Sequence, residues 1–192
     1  MTVRIPFPEN DRPLWVFAYG SLMWKPGFTV EESREARLFG YHRSLCVWSH
    51  VHRGTPEHPG LVFGLQPGGS CHGRLLRTRA NEQAQVLEYL ADRELVTDIY
   101  LPRYVEVAAG AERIRALTFV VDTRHYQFAR VLDEDVAIKT VASARGQSGH
   151  SLDYLESTLA HLKAQGIASG RLQHILAHAR NLARLLEPSN DV

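Results

Sequence analysis

Cysteine is scarce in this 192-residue chain: there are two, Cys46 and Cys71, and they form no Cys-x-x-C pair. That excludes a small scaffold stapled by disulfides. With no export leader legible in "MTVRIPFPEND", free thiols in a reducing cytoplasm are expected. An excess of either charge is lacking too, since 22 Lys and Arg stand against 21 Asp and Glu. Nucleic acid and anionic membrane surfaces therefore have no electrostatic support as partners. No apolar run approaches the ~18 residues that suggest a membrane-spanning helix. Several catalytic signatures are also missing. "LQPGGSCHG", 65–73, holds neither a P-loop nor G-x-S-x-G and reads as a hairpin turn. His174 and His178 have zinc-protease spacing, but Ile175 stands where that pattern needs Glu. His50 and His52 share a face of an expected strand, with His42 and His58 near in sequence, yet no ligand set forms around them. Neither a metal nor a cofactor is expected.

What is present begins as strands and ends as helices. Hydrophobic residues make up 44%, an ordinary globular share, and 192 residues suffice for one self-standing core. Residues 14–19, 44–49, 60–65 and 73–78 are short apolar or alternating runs punctuated by Gly and Pro, and read as strands. "ANEQAQVLEYLADREL", 80–95, has Val86, Leu87, Leu90 and Ala91 on one helical stripe. Residues 103–109 and 113–122 read as a strand pair around Gly110. A helix over 133–144 opens on acidic residues, which suit its N-terminus. The Gly-containing link "RGQSGHS", 145–151, leads to helices over roughly 152–165 and 171–187. Strands followed by helices predict an α+β domain. We expect one domain over 1–192, with 1–13 as an N-terminal arm.

Two places carry chemistry. Glu94 falls four residues after Leu90 and seven after Leu87, so it continues an apolar stripe. An inward carboxylate is costly without partners, and burial raises its pKa, which is how a glutamate is tuned as a general acid or base. A helix-end salt bridge to Arg93 or Arg103 is the plainer account. "WVFAYGSLMW", 15–24, interrupts an apolar run with Gly20-Ser21. Such a turn either ends a strand or presents consecutive N–H groups to a small anion. Cys46, within an apolar run, reads as packing rather than as a nucleophile. The amphipathic "RLQHILAHARNLARLLE" reads as packing on its own domain.

In order along the chain, "LWVFAYGSLMWKPGF", "RGTPEHPGLVFGL", "YLADREL…YLPRY" and "YLESTL" resemble the ChaC family of γ-glutamylcyclotransferases from about 14 to 165. The resemblance implies a compact mixed-strand barrel flanked by helices, with a helical C-terminal third. It implies a cytoplasmic lyase that cleaves glutathione to 5-oxoproline and Cys-Gly without a cofactor. It also implies that Tyr19, Gly20, Ser21 and Leu22 cradle the γ-glutamyl group and that Glu94 is the catalytic acid/base. Arg53 is a further candidate for a substrate carboxylate, against a loop salt bridge to Glu57. Tyr154 either turns its hydroxyl to the site or sits at a helix–core boundary. The chain departs from the family at Gly149-His150-Ser151, where Gly-Thr-Asn is common, and at Gly73-Arg74-Leu75-Leu76-Arg77, where Gly-Val-Ala-Tyr/Phe-Arg is common. Other readings are the same ring closure on another γ-glutamyl peptide or amine, a non-catalytic regulator linked to cation transport, and, last, a histidine metal hydrolase. Oligomeric state is not legible.

Overall fold

A computed structural model describes residues 5–8 and 13–186. Most of the N-terminal arm expected over 1–13, and Glu187 at the end of the last expected helix, lie outside the described residues. In chain order the elements are β1 (Trp15–Ala18), β2 (Val30–Ser49), β3 (Gly60–Thr78), α1 (Gln83–Glu94), β4 (Tyr100–Ala109), β5 (Glu112–Val121), α2 (Glu134–Ser143), β6 (Arg145–Gly146), β7 (Gly149–His150), α3 (Ser151–Ala164) and α4 (Gly170–Leu186). Short 3-10 turns cover Ser21–Met23 and Ala80–Glu82. The α+β class and the barrel hold: five strands close in the order β1-β3-β2-β4-β5.

The chain divides into two compact units. Among the described residues, the first comprises 5–8, 13–44 and 64–126. Here β1 pairs antiparallel with β3, from Trp15↔Arg77 to Ala18↔Arg74, and parallel with β5 at Val16↔Leu117. β4 and β5 form a hairpin from Tyr100↔Val121 to Ala109↔Glu112, turning at Gly110 with φ +61°. α1 places Val86, Leu87 and Leu90 against Val16, Ala18 and Phe119. Each such leucine contributes about 1.5–3 kcal/mol on burial. Ile5, from the short described part of the arm, joins this core.

Among the described residues, the second unit comprises 45–63 and 127–186. Asp133 caps α2 by accepting from the Asp135 N–H, as the acidic opening of that helix suggests. α3 buries Tyr154, Leu155 and Leu162, and α4 buries Ile175, Leu176 and Ala179. The expected link at 145–151 is instead the hairpin β6–β7, which grips the loop after β2: Gln147 N–H donates to the Val51 carbonyl and Ser148 N–H to that of His52, each at 2.9 Å.

Three expectations need correction. "LQPGGSCHG" is not a hairpin turn, because β3 runs unbroken through it, with Gly68 and Gly69 at φ +98° and +68°. Consecutive positive φ values accommodate a local kink in a strand that goes on, so two expected strands are one. The strand expected at 44–49 begins at Val30, its first half coated with Glu and Arg. His50 and His52 lie past its end, so they share no strand face.

Candidate active site

The first unit builds one cluster from the 3-10 turn after β1 and the last turn of α1. Tyr19 is buried and donates its hydroxyl to the Phe119 carbonyl at 2.9 Å, while its own carbonyl accepts from Arg43 Nε at 2.5 Å. Leu22 is buried in the core beneath α1. These two side chains anchor the turn; Gly20 and Ser21 are its half-buried part. Gly20 has φ −129° and ψ −136°, so the turn does not use the left-handed freedom of glycine. Met23 N–H bonds the Gly20 carbonyl at 3.0 Å, and Lys25 N–H bonds that of Ser21 at 2.9 Å. The first N–H groups of a helical turn have no acceptor within it, and Gly20 supplies no side-chain cap.

Glu94 is the last residue of α1, and its side chain is 17% exposed. The apolar stripe of Leu87 and Leu90 does carry it inward. Burial pushes its carboxyl above the usual range, and the adjacent Arg93 cation pulls it partly back. The negative end of the helix dipole also disfavours the carboxylate there. Arg93 Nε lies 3.1 Å from Glu94 Oε1, so the plain salt bridge exists as well.

Arg93 also reaches the turn and the loop that follows it. Nη2 donates to Ser21 Oγ at 2.9 Å; Nη1 donates to the carbonyls of Lys25 and Pro26, at 2.6 and 3.3 Å, and to Tyr89 Oη at 2.9 Å. Thus Ser21 and Glu94, far apart in sequence, share one guanidinium. Sequence reasoning named Arg93 only as a salt-bridge partner. Two of its acceptors are backbone carbonyls, which no side-chain pattern reveals; Gly27 was the available signal. Its φ is +79°, and a Cβ there would overlap the Tyr89 hydroxyl.

In the second unit, Arg53 Nη1 donates to the His150 carbonyl at 3.2 Å, and its guanidinium lies 5.4 Å from the Tyr154 ring centroid. Burial lowers its pKa, with Tyr154 and Asp153 opposing. Tyr154 is buried, and its hydroxyl accepts from the Phe63 N–H at 3.2 Å, the helix–core position that was one of the two expected for it. Cys46 and Cys71 are free and buried. The rings of His174 and His178 lie tilted against each other with centroids 4.3 Å apart, and His174 Nε2 lies 3.0 Å from Glu134 Oε1. Among the described residues no three His, Cys, Asp or Glu side chains gather where they could hold a metal ion. No helix among them is long and apolar enough to cross a membrane.

Comparison with known proteins brings the same stretches together. The family model described as ChaC-like protein matches residues 14–182. The glutathione-specific γ-glutamylcyclotransferase of Escherichia coli K12 is 32% identical over 174 residues, covering 90% of this chain and 75% of that one. Human glutathione-specific γ-glutamylcyclotransferase 1 is 31% identical over 162 residues, covering 80% and 73%. A crystal structure of a γ-glutamyl cyclotransferase specific to glutathione from yeast superimposes with a TM-score of 0.80 at 21% identity, covering 88% of this chain and 96% of that one. That likeness is one of fold. On the family match and the identity to its members, this chain belongs to the ChaC-like family.

Proposed function

We propose that this chain is a γ-glutamylcyclotransferase that converts glutathione to 5-oxoproline and Cys-Gly. The observation carrying the reading is a largely buried carboxylate, Glu94, held beside the Gly20-Ser21 turn by a shared arginine. The names of the bacterial and human relatives supply the substrate.

The chemistry suits so sparse a site. A γ-glutamyl group carries its own nucleophile, the α-amine, which closes a five-membered ring on the γ-carbonyl. The bond from that nitrogen to the carbonyl carbon forms as the amide bond to cysteine breaks. The α-ammonium must first lose a proton, because it has no lone pair. Glu94 takes that proton and delivers it to the departing cysteinyl nitrogen. The ring nitrogen sheds a second proton as the lactam forms, and the freed cysteinyl amine takes up a proton to become an ammonium, so charge and protons balance. A carboxyl whose pKa lies above the ordinary range accepts a proton from an ammonium more readily than an exposed one. N–H groups of the Gly20-Ser21 turn receive the glutamyl α-carboxylate or the carbonyl oxygen, with Tyr19 and Leu22 keeping the turn in place. Holding the substrate folded for attack lowers the barrier by removing motions that the free peptide must freeze. No bound metal or cofactor has a step in this sequence. Two buried free thiols suit a reducing cytoplasm, where we place the protein.

The test is incubation of purified protein with reduced glutathione, following 5-oxoproline and Cys-Gly by mass spectrometry. Wild type should release both in equal amounts, and a folded Glu94→Gln variant should be slower by about 10²–10⁴-fold. No release by wild type would sink the glutathione assignment. A panel of other γ-glutamyl peptides and amines would then decide whether the ring closure survives on a different substrate.

A further inference from the structure

Arg93 lies where the turn and the carboxylate meet, yet the reaction above gives it no step. We propose that Arg93 is a positioning residue, holding the Gly20-Ser21 turn and the Glu94 carboxylate in one fixed arrangement so that both address the same substrate. The proposal rests on Glu94 being the base.

Three observations carry it. All three guanidinium nitrogens of Arg93 are engaged, Nε on Glu94, Nη1 on Tyr89 and the carbonyls of Lys25 and Pro26, and Nη2 on Ser21, which points to an internal task rather than substrate contact. The acceptors belong to two elements, the turn and α1, which only a planar fork with several donors can tie together. The loop is also shaped for the tie: Gly27, at φ +79°, leaves room for the Tyr89 hydroxyl that Arg93 grips, and Phe28 packs edge-on to the Tyr89 ring at 6.5 Å. Around Glu94, Arg93 is the charged neighbour acting on it. The titratable side chains packed on the adjoining core are Tyr89 of α1 and Tyr100 and Tyr104 of β4. Arg43, from β2, is engaged on the Tyr19 carbonyl of the turn.

The experiment compares Arg93→Gln, Arg93→Lys and Ser21→Ala with wild type. It reads kcat and KM on glutathione, the acid limb of the kcat profile, and the Glu94 titration by carboxyl NMR without substrate. Arg93→Gln should lower kcat about 10²-fold, the scale of a small misplacement. It should also move both the acid limb and the NMR midpoint to higher pH, because the carboxylate loses its cation. Arg93→Lys should keep the midpoint nearer to wild type but leave kcat low, since a single ammonium cannot span the same acceptors. Ser21→Ala should lower kcat without moving the midpoint. An unmoved midpoint in Arg93→Gln, or full kcat in Arg93→Lys, would overturn the proposal. So would a loss confined to melting temperature. Should Arg93→Gln fail to fold, Arg93→Lys and Ser21→Ala decide by the same criteria. Wild type inert toward glutathione would overturn the proposed function instead, and that shows before any variant is made.

Discussion

Glu94 and Arg93 are neighbours in the chain, yet they were not equally legible. An acidic residue on a leucine stripe can be recognised from spacing, because helix geometry converts sequence distance into direction. An arginine that bonds carbonyls in a distant loop leaves no periodic trace. Glu94 also sets a pH dependence. Its folded pKa lies above the ordinary 4.5, so the folded chain binds that proton more tightly than the unfolded one. Its contribution to stability is therefore fully present below pH 4.5 and is lost as pH rises through the higher folded value. Urea unfolding across that range should show a smaller loss in Glu94→Gln than in wild type. A steeper loss in the variant would mean that Arg93 more than offsets the burial. Tyr19 offers a separate check: Tyr19→Phe leaves the buried Phe119 carbonyl without its 2.9 Å donor and should cost about 1–2 kcal/mol, read from the same unfolding curves.

At the scale of elements, α1 to α4, β1 and the β4–β5 hairpin could be anticipated because each has a clean apolar period or a capping signal. β2 and β3 could not be traced in full. The first half of β2 carries Glu31, Glu32, Arg34 and Arg37, which find partners on other strands and within β2 itself: Arg77 pairs with Glu31 and Glu32, Arg34 with Glu112 and Glu32, and Arg37 donates to Ser70. Charge replaces hydrophobicity as the alternating signal there, and a search for apolar runs passes over it. The kink at Gly68-Gly69 hides the length of β3 for a related reason, since in local sequence a bulge is written like a turn. The loop gripped by β6–β7 is packed backbone against backbone, and a Cβ at Gly146 would strike the Val51 carbonyl and the Gly54 nitrogen. Backbone atoms cannot swing away as a side-chain tip can. Gly146→Ala should therefore cost about 1–3 kcal/mol, a thermal shift of roughly 2–4 °C for each kcal/mol.

The whole molecule has the size and charge balance expected of a protein acting on a small substrate, but its division into two units was not anticipated. No composition change marks the boundaries, because two of them fall inside continuous strands: 44/45 within β2 and 63/64 within β3. We still expect a single domain thermodynamically, since strands shared in this way give neither unit an independent set of elements. Calorimetry should show one transition whose calorimetric and van't Hoff enthalpies agree; two resolved transitions would refute this. Activity should also survive exhaustive treatment with a metal chelator, because substrate amine, Glu94 and backbone supply every step proposed. The interleaving has a hereditary side as well. The chain passes between units at 44/45, 63/64 and 126/127, so no single cut in its gene separates the parts for one from those for the other. A single crossover therefore cannot exchange either unit as a cassette.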